Sequence, residues 1–356
     1  MPKCSVMFRA VPADCRIGPS AHQLQRERPL EKEDATVRAS RVVMRPKTTI
    51  AAHLIVGEKP EPFLAAALEG IAAVCDCAII NDNSGSPRSE NSAIAAQSRL
   101  SQTGRLAFVR TKFTDFATAR NECIDATPAD FRHGWALFVD ADEVHGDELA
   151  AMAALLPRLP ENVSAVDGYS RHFVGSFRWW ISIERRLRFF RLTSNCHWRG
   201  SVHEQLQPVG NAVVLPAVWS HYGHVVTPRA EAEKSRLYAL LGGGDAPSED
   251  VLSIVTPAMV WPRLLRRANR FRGSHPLAVV DTIAALETER ASIYAEVDEI
   301  LRRQGVADRA RNAAYRINIA RLLLWRRLGA RIRWGWPAGR TPLERLGYAG
   351  SLARGD

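Results

Sequence analysis

The sequence predicts an α/β fold in which a mostly parallel central sheet is covered on both faces by helices and continues into a helical C-terminal region. Three observations carry this expectation. Apolar strand-like runs alternate with helix-like runs from Thr48 to Val139, polar clusters close those strands at their carboxyl ends, and the last hundred residues combine helical patterning with many arginines.

Each element can be justified in order. Residues 1–46 are polar and charged, with scattered prolines and no sustained periodicity, which predicts a disordered extension and makes Met44 a plausible start. Thr48 to Val56 reads as the first core strand. There follow a helix over Pro62 to Val74, a strand over Cys77 to Ile80 ending in Asn81-Asp82-Asn83-Ser84, and a helix over Glu90 to Thr103. A strand over Leu106 to Val109, a helix over Phe116 to Ala126, a strand over Trp135 to Val139 and a helix over Gly146 to Leu156 complete the alternation. Parallel neighbours need crossover connections of this length, and ligands of such sheets bind beyond the carboxyl ends of the strands. Glu58, Asn81-Asp82-Asn83 and Asp140-Ala141-Asp142 fall there.

After Leu156 the pieces become shorter, aromatic and arginine-rich. Val166 to Phe177, Arg186 to Leu192 and Val213 to His221 are expected as antiparallel strands appended to the sheet. Helices are expected over Ala230 to Leu241, Pro276 to Gln304 and Arg309 to Ile332, with Gly242 to Ser248 as the best internal linker. The expected division is an α/β domain over 47–241, a linker over 242–250 and a basic helical region over 251–356.

With 356 residues, 46% of them hydrophobic and 24% charged, the chain is long enough for a sizeable core. The net charge of +10 is C-terminal in origin: residues 257–356 hold 19 arginines, no lysine and 9 acidic residues, while the remainder is balanced. A nucleic-acid-binding protein would use such charge against phosphates, yet that reading leaves two aspartates at a strand end without a purpose, and no nucleic-acid partner is expected. Cys4, Cys15, Cys75, Cys77, Cys123 and Cys196 show neither paired zinc-ligand spacing nor the density of a disulfide scaffold, so they read as reduced thiols. No run of about 18 apolar residues and no signal-peptide pattern is visible, which predicts a cytoplasmic location. The stretch Arg316 to Trp336 interleaves Ile317, Leu322, Leu323, Leu324, Trp325, Leu328, Ile332 and Trp334 with six arginines. Such a helix suits peripheral contact with the inner face of the cell membrane or, alternatively, packing against the fold.

The most informative segment is Ala136-Leu-Phe-Val-Asp140-Ala-Asp142-Glu143, where a buried strand ends in two carboxylates one residue apart. Alternate strand residues share a face, so Asp140 and Asp142 can meet one cation. Carboxylate oxygens suit Mg2+ or Mn2+, which commonly complete their shell with water and substrate phosphate. The bland alternative is that Asp142 or Glu143 caps the following helix.

These motifs, taken together, resemble family-2 glycosyltransferases of the GT-A fold, over about residues 47–241. Gly57-Glu58 resembles the first nucleotide-contacting segment with Gly in place of the usual Asn, so only Glu58 carries over. Asn81-Asp82-Asn83-Ser84 resembles the segment in which an aspartate, here Asp82, contacts the nucleotide base or ribose. Asp115-Phe-Ala-Thr-Ala-Arg120-Asn121 resembles the helix whose Arg-Asn pair lies near the nucleotide-sugar. Asp140-Ala-Asp142 resembles the Asp-x-Asp motif. Arg188-Phe-Phe-Arg191, Trp198 to Glu204 and His221-Tyr-Gly-His224 resemble a subgroup found among bacterial lipopolysaccharide-core and peptide glycosyltransferases.

The resemblance implies a metal-dependent, inverting transferase that takes a sugar from a nucleotide-diphospho-sugar, a UDP-sugar first among them, with Mn2+ or Mg2+ as cofactor. Asp142 is the expected direct metal ligand, with Asp140 contacting metal, sugar or ribose, and His221 a further ligand ahead of His224. Glu204, beside His203, is the expected base for the acceptor hydroxyl, and Asp167 is the second choice. Arg120 adds a fixed positive charge. Trp179 and Trp180 are candidate acceptor contacts, since aromatic faces pack against sugars. The acceptor is left open among a glycan, a lipid-linked molecule, a peptide and a small molecule. The rivals are a haloacid-dehalogenase-type phosphatase with Asp140 as nucleophile, which expects its motif on the first strand, and a degenerate binding protein of the same fold.

Overall fold

The computed structural model describes residues 48–242 and 264–337. The expected extension over 1–46 and, Gly242 apart, the expected linker over 242–250 lie outside the described residues, as do Cys4 and Cys15. The first half of the fold alternates: β1 (Ile50–Val56), α1 (Leu64–Ile71), β2 (Cys77–Asp82), α2 (Glu90–Ala96), α3 (Arg99–Gln102), β3 (Leu106–Val109), α4 (Phe116–Asp125) and β4 (Trp135–Phe138). A short β5 (Glu143–Val144) and α5 (Asp147–Ala153) lead into the long strands β6 (Val163–Val174) and β7 (Ser176–Arg191). A small hairpin of β8 (His197–Arg199) and β9 (Gln205–Gln207) precedes β10 (Asn211–His224), α6 (Pro228–Leu241) and β11 (Asn269–Arg270). Three helices follow: α7 (Val280–Glu289), α8 (Ala291–Arg302) and α9 (Val306–Trp334).

Among the described residues one nine-stranded sheet runs in the order β3-β2-β1-β4-β7-β6-β10-β5, with β11 added on β7. β1 pairs in parallel with β2 and β4, and β2 with β3. β7 is reversed, antiparallel to both β4 and β6. β10 runs parallel to β6, which corrects the antiparallel expectation for Val213 to His221. After β7 the chain leaves the sheet through the β8–β9 hairpin and re-enters beside β6 in the same direction. β5 then pairs antiparallel with β10, setting His221 opposite Glu143. This pairing carries His221 to the Asp140–Asp142 turn.

Two expected helices are broken. The helix over Glu90 to Thr103 stops near Gln97 and restarts at Ser98, whose hydroxyl accepts from the Ser101 amide as an N-cap. The helix over Pro276 to Gln304 is divided at Arg290, where the backbone leaves helical geometry and the side chain donates to the Val225 carbonyl at 3.1 Å.

Strand β1 is apolar on both faces because both are covered. Ala52 and Leu54 pack on one side with Leu64, Leu68, Ile80, Leu137 and Phe189, while Ala51 faces Ile79, Ala136, Phe190 and Trp198 on the other. A third core, built around Phe63, Phe173, Phe177, Trp180 and Tyr222, receives Ile319 and Leu323 of α9 and so fastens the C-terminal helices to the sheet. Among the described residues no helix is long and apolar enough to cross a membrane.

Candidate active site

The carboxyl ends of β1, β2 and β4 open into one cleft of about 1410 Å³ that is lined by Glu58, Asn83, Ser84, Arg120, Asp140, Asp142, His203, Glu204 and His221 among others. The position is the one a parallel sheet provides, since crossovers leave the strand ends free to carry polar loops.

Asp140, Asp142 and His221 bring one ligand-type atom each within 4.8 Å of one another. His221 Nε2 lies 3.3 Å from Asp142 Oδ1, and the Tyr222 amide donates to the Asp142 carbonyl at 2.9 Å, so β10 and the turn are tied by backbone as well as by side chain. Burial alone would raise the pKa of Asp142, but the neighbouring His221 and Lys234 hold it below the usual carboxylate range. Burial likewise opposes a charged His221, and Asp142 raises it nonetheless. The residues fit a divalent cation: His221 Nδ1 is buried without a hydrogen-bond partner, the 3.3 Å approach of His221 Nε2 to Asp142 Oδ1 is not a well-directed hydrogen bond, and Gly223 supplies a cradle that a side chain would fill. Mixed oxygen and imidazole donors favour an Mn2+-type ion over Mg2+.

Arg120, on α4, is nearly fully buried and joins two carboxylates of the cleft, Asp140 and Glu204. Its Nη2 donates to Asp140 at 2.7 Å and its Nε to Glu204. The guanidinium also stacks over Phe138, 3.9 Å from the ring centroid. Burial disfavours this charge, but Asp140 and Glu204 raise its pKa. In turn, burial would raise Asp140, and Arg120 lowers it.

Glu204 follows β8 on a tight loop in which Gly200 and His203 both adopt positive φ, 99° and 57°. A left-handed histidine costs conformational energy, which surrounding structure must offset. Asn121 contributes: its side-chain amide donates to the Trp198 carbonyl at 3.0 Å and accepts from the Trp198 amide at 2.7 Å. Asn121 therefore fixes the strand that delivers Glu204 and does not line the cleft. His203 does line it, with its ring 6.5 Å from that of Tyr238.

Several expected contacts lie elsewhere. Asp82 accepts from the Ser84 amide and hydroxyl, from the Ser92 hydroxyl at 2.7 Å and from Ser89, and these bonds outweigh the effect of burial and lower its pKa. It shapes the loop, and Asn83 and Ser84 reach the cleft in its place. Asp167, on β6, is held by Arg185 at 2.5 Å and does not line the cleft, so it is not placed to act as the base. Trp180 is fully buried in the third core, and Trp179 donates to Asp298 of α8 at 2.5 Å. Neither tryptophan lines the cleft because β11 pairs with this part of β7 and α8 packs over it.

The cleft also holds residues that sequence reasoning missed. Lys234, on α6, donates to the Gly223 carbonyl at 3.3 Å; burial disfavours its charge, but Asp142 raises its pKa. It is the only lysine after Lys112, a signal that was available. Glu61 is pushed up to about 7 by burial and then by Asp142, and His172 and Tyr238 also line the cleft.

Residues 56–206 match the family described as glycosyl transferase family 2. No curated protein matches the chain. Among solved structures, a mannosyltransferase from Pyrobaculum calidifontis with GDP-Man and Mn2+ is 15% identical over 78% of this chain and 87% of its own, with a TM-score of 0.38. S. aureus TarS with UDP-GlcNAc is 13% identical over 62% and 72%, with a TM-score of 0.34. Glucosyl-3-phosphoglycerate synthase from Mycobacterium tuberculosis, with Mn2+, UDP and glucosyl-3-phosphoglycerate, is 18% identical over 35% of this chain, at a TM-score of 0.26. The match spans 45% of the length of that synthase.

Proposed function

We propose that this chain, whose residues 56–206 match glycosyl transferase family 2, is a transferase of the GT-A type that moves a sugar from a nucleotide-diphospho-sugar to a hydroxyl acceptor with inversion. A UDP-sugar is the first candidate donor. The observation that carries the reading is the meeting of Asp140, Asp142, His221, Arg120 and Glu204 in one cleft at the carboxyl edge of the sheet. The phosphatase alternative gives no reason for the strands that precede Asp140 and lie within the family match.

Asp142 and His221, with Asp140 beside them, would hold Mn2+ or Mg2+, which when bound offsets the negative charge of the leaving diphosphate. The chain's own residues supply the rest. Lys234 adds a second positive charge beside Asp142, and Asn83 and Ser84 offer polar groups to the nucleoside. The acceptor oxygen attacks the anomeric carbon, the bond from that carbon to the diphosphate oxygen breaks with its electron pair leaving on oxygen, and the acceptor proton passes to Glu204. Arg120 orients Glu204 and Asp140 for these roles.

Peripheral contact with an anionic lipid surface through Arg316 to Trp336 belongs to the same proposal. Helix α9 buries Ile319, Leu323 and Ala330 on one side, and exposes Ile317, Leu324, Trp325, Leu328 and Ile332 on the other, with Trp325 70% and Ile332 86% accessible. Its eight arginines face one aspartate, so a second copy would set like charges together whereas anionic headgroups would complement them. Such a location suits a lipid-linked acceptor at the inner face of the cell membrane.

The test is calorimetric titration of the protein with UDP, GDP and dTDP, each with and without Mn2+, alongside Asp142→Asn. Metal-dependent binding of one nucleotide that the variant loses is the expected result. Folded protein that binds none of the three would overturn the reading.

A further inference from the structure

Besides His203, the cleft is lined by His172, His221 and His224, of which the transfer proposed above uses only His221. His172 of β6 and His221 and His224 of β10 bring one ring nitrogen each within 4.8 Å of one another. Ring centroids lie 4.4 Å apart for His172 and His221, 5.9 Å for His221 and His224, and 6.0 Å for His172 and His224. The topology assembles them: β10 runs beside β6 with His221 in register with His172. Residues three apart on a regular strand point to opposite faces, but the ladder is irregular between His221 and His224, which lets both rings reach one pocket.

The donor atoms are available. His172 Nε2 and His221 Nδ1 are buried without a hydrogen-bond partner. His224 Nδ1 meets both carboxylate oxygens of Glu231 at 3.0 Å, and Glu231 is itself only 3% exposed. A buried carboxylate behind an imidazole fixes its ring and tautomer and leaves the other nitrogen for a cation, the arrangement usual for metal-binding histidines. Glu184 Oε2 stands 3.6 Å from His172 Nε2, so an oxygen donor borders the group. Lys234 and Arg186 are cations near the three rings, and Asp142, Glu184 and Glu231 are the anions that offset them.

We infer that His172, His221 and His224 form a nitrogen-donor site for a transition-metal ion of the Zn2+ or Co2+ class, adjoining the carboxylate site of Asp140 and Asp142 through the shared His221. Three imidazoles with one further position are a donor set suited to tetrahedral Zn2+, whereas Mg2+ demands oxygen ligands. The inference goes beyond sugar transfer and is tested without it.

The experiment is titration of the full chain with Co2+, read by the intensity of its visible ligand-field absorption, followed by displacement with Zn2+. The native protein and Asp142→Asn are expected to give the intense spectrum of tetrahedral Co2+. His172→Gln and His224→Gln, shown to be folded by circular dichroism, are expected to weaken Co2+ binding at least tenfold. Glu231→Gln, which removes no ligand, is expected to weaken it by about 10- to 100-fold. A spectrum lost in Asp142→Asn and kept in His172→Gln would overturn the inference, as would weak octahedral absorption throughout or folded protein that binds neither ion. The nucleotide titrations with Mn2+ report on the transferase reading separately.

Discussion

Gly223 stands so close behind Asp142 that a methyl group on its α-carbon would overlap the carboxylate. The same methyl would lie 2.8 Å from the His221 ring and 3.0 Å from the Lys234 ammonium. Three polar groups of the cleft therefore converge on the one position of His221-Tyr-Gly-His224 that has no side chain.

Gly223→Ala is accordingly expected to displace the Asp142 carboxylate while leaving the fold in place. Overpacking of this kind costs about 1–3 kcal/mol. Metal-dependent nucleotide binding, followed by calorimetry, should fall at least tenfold with an unchanged circular dichroism spectrum. Wild-type affinity in a folded variant would show that the cradle is not needed.

Arg120→Met removes the partner of both Asp140 and Glu204. Breaking a buried charge pair by deleting one side costs about 3–5 kcal/mol, and a marked fall in melting temperature is expected together with loss of transfer. Arg120→Lys keeps the charge but not the fork that serves two carboxylates, so it should recover stability better than turnover. Equal recovery of both would argue against the bridging role.

Glu204→Gln is expected to spare nucleotide binding and lower the transfer rate by about 10²- to 10⁴-fold, the usual contribution of a positioned base. Donor consumption measured at saturating nucleotide-sugar separates the two effects. A full rate in this variant would place the base elsewhere.

His53 is buried in β1, and burial, with the charge of Arg120 adding to it, pushes it down to about 3 from an ordinary value of 6.5. The unfolded chain takes up a proton below 6.5 and the folded chain does not, so this contribution to stability is complete above 6.5 and is lost as pH falls towards 3. At pH 5 the loss is about 2 kcal/mol. His145 and His275, likewise lowered by burial, add to the slope. His53→Gln, which keeps a donor for Thr127, should flatten the dependence of melting temperature on pH between 7 and 5; an unchanged slope would assign the acid sensitivity elsewhere.

Trp325→Ala combined with Ile332→Asp is expected to reduce sedimentation with vesicles rich in anionic phospholipid while leaving nucleotide binding intact. Neutral vesicles should capture neither protein. Equal capture by both vesicle types, or none by either, would remove the lipid-surface reading of α9.

How much of this was legible in the sequence depends on which interactions decide each element. β3 lies at Leu106–Val109 as expected, and the Asp140–Asp142 turn sits where a buried strand meets solvent, because strands covered on both faces read as apolar runs ended by polar residues. The direction of β10 was hidden: local patterning says which residues are apolar but not which neighbour a strand returns to. Trp179 and Trp180 looked available because β11 and α8, which cover them, lie about 90 to 120 residues further along the chain. His172 carried no motif of its own and gained a role only from its register opposite His221.

The guanidinium of Arg120 grips the turn that would meet the donor and the loop that would meet the acceptor in a single rigid plane. In the proposed transfer, one side chain would thus tie the donor side to the acceptor side. Reshaping the loop that carries Glu204 would unsettle Asp140 unless residue 120 were redesigned in step with it. Variation that broadens acceptor choice is therefore best sought at positions which leave that plane untouched, such as Val202 and Leu237 on the rim of the cleft.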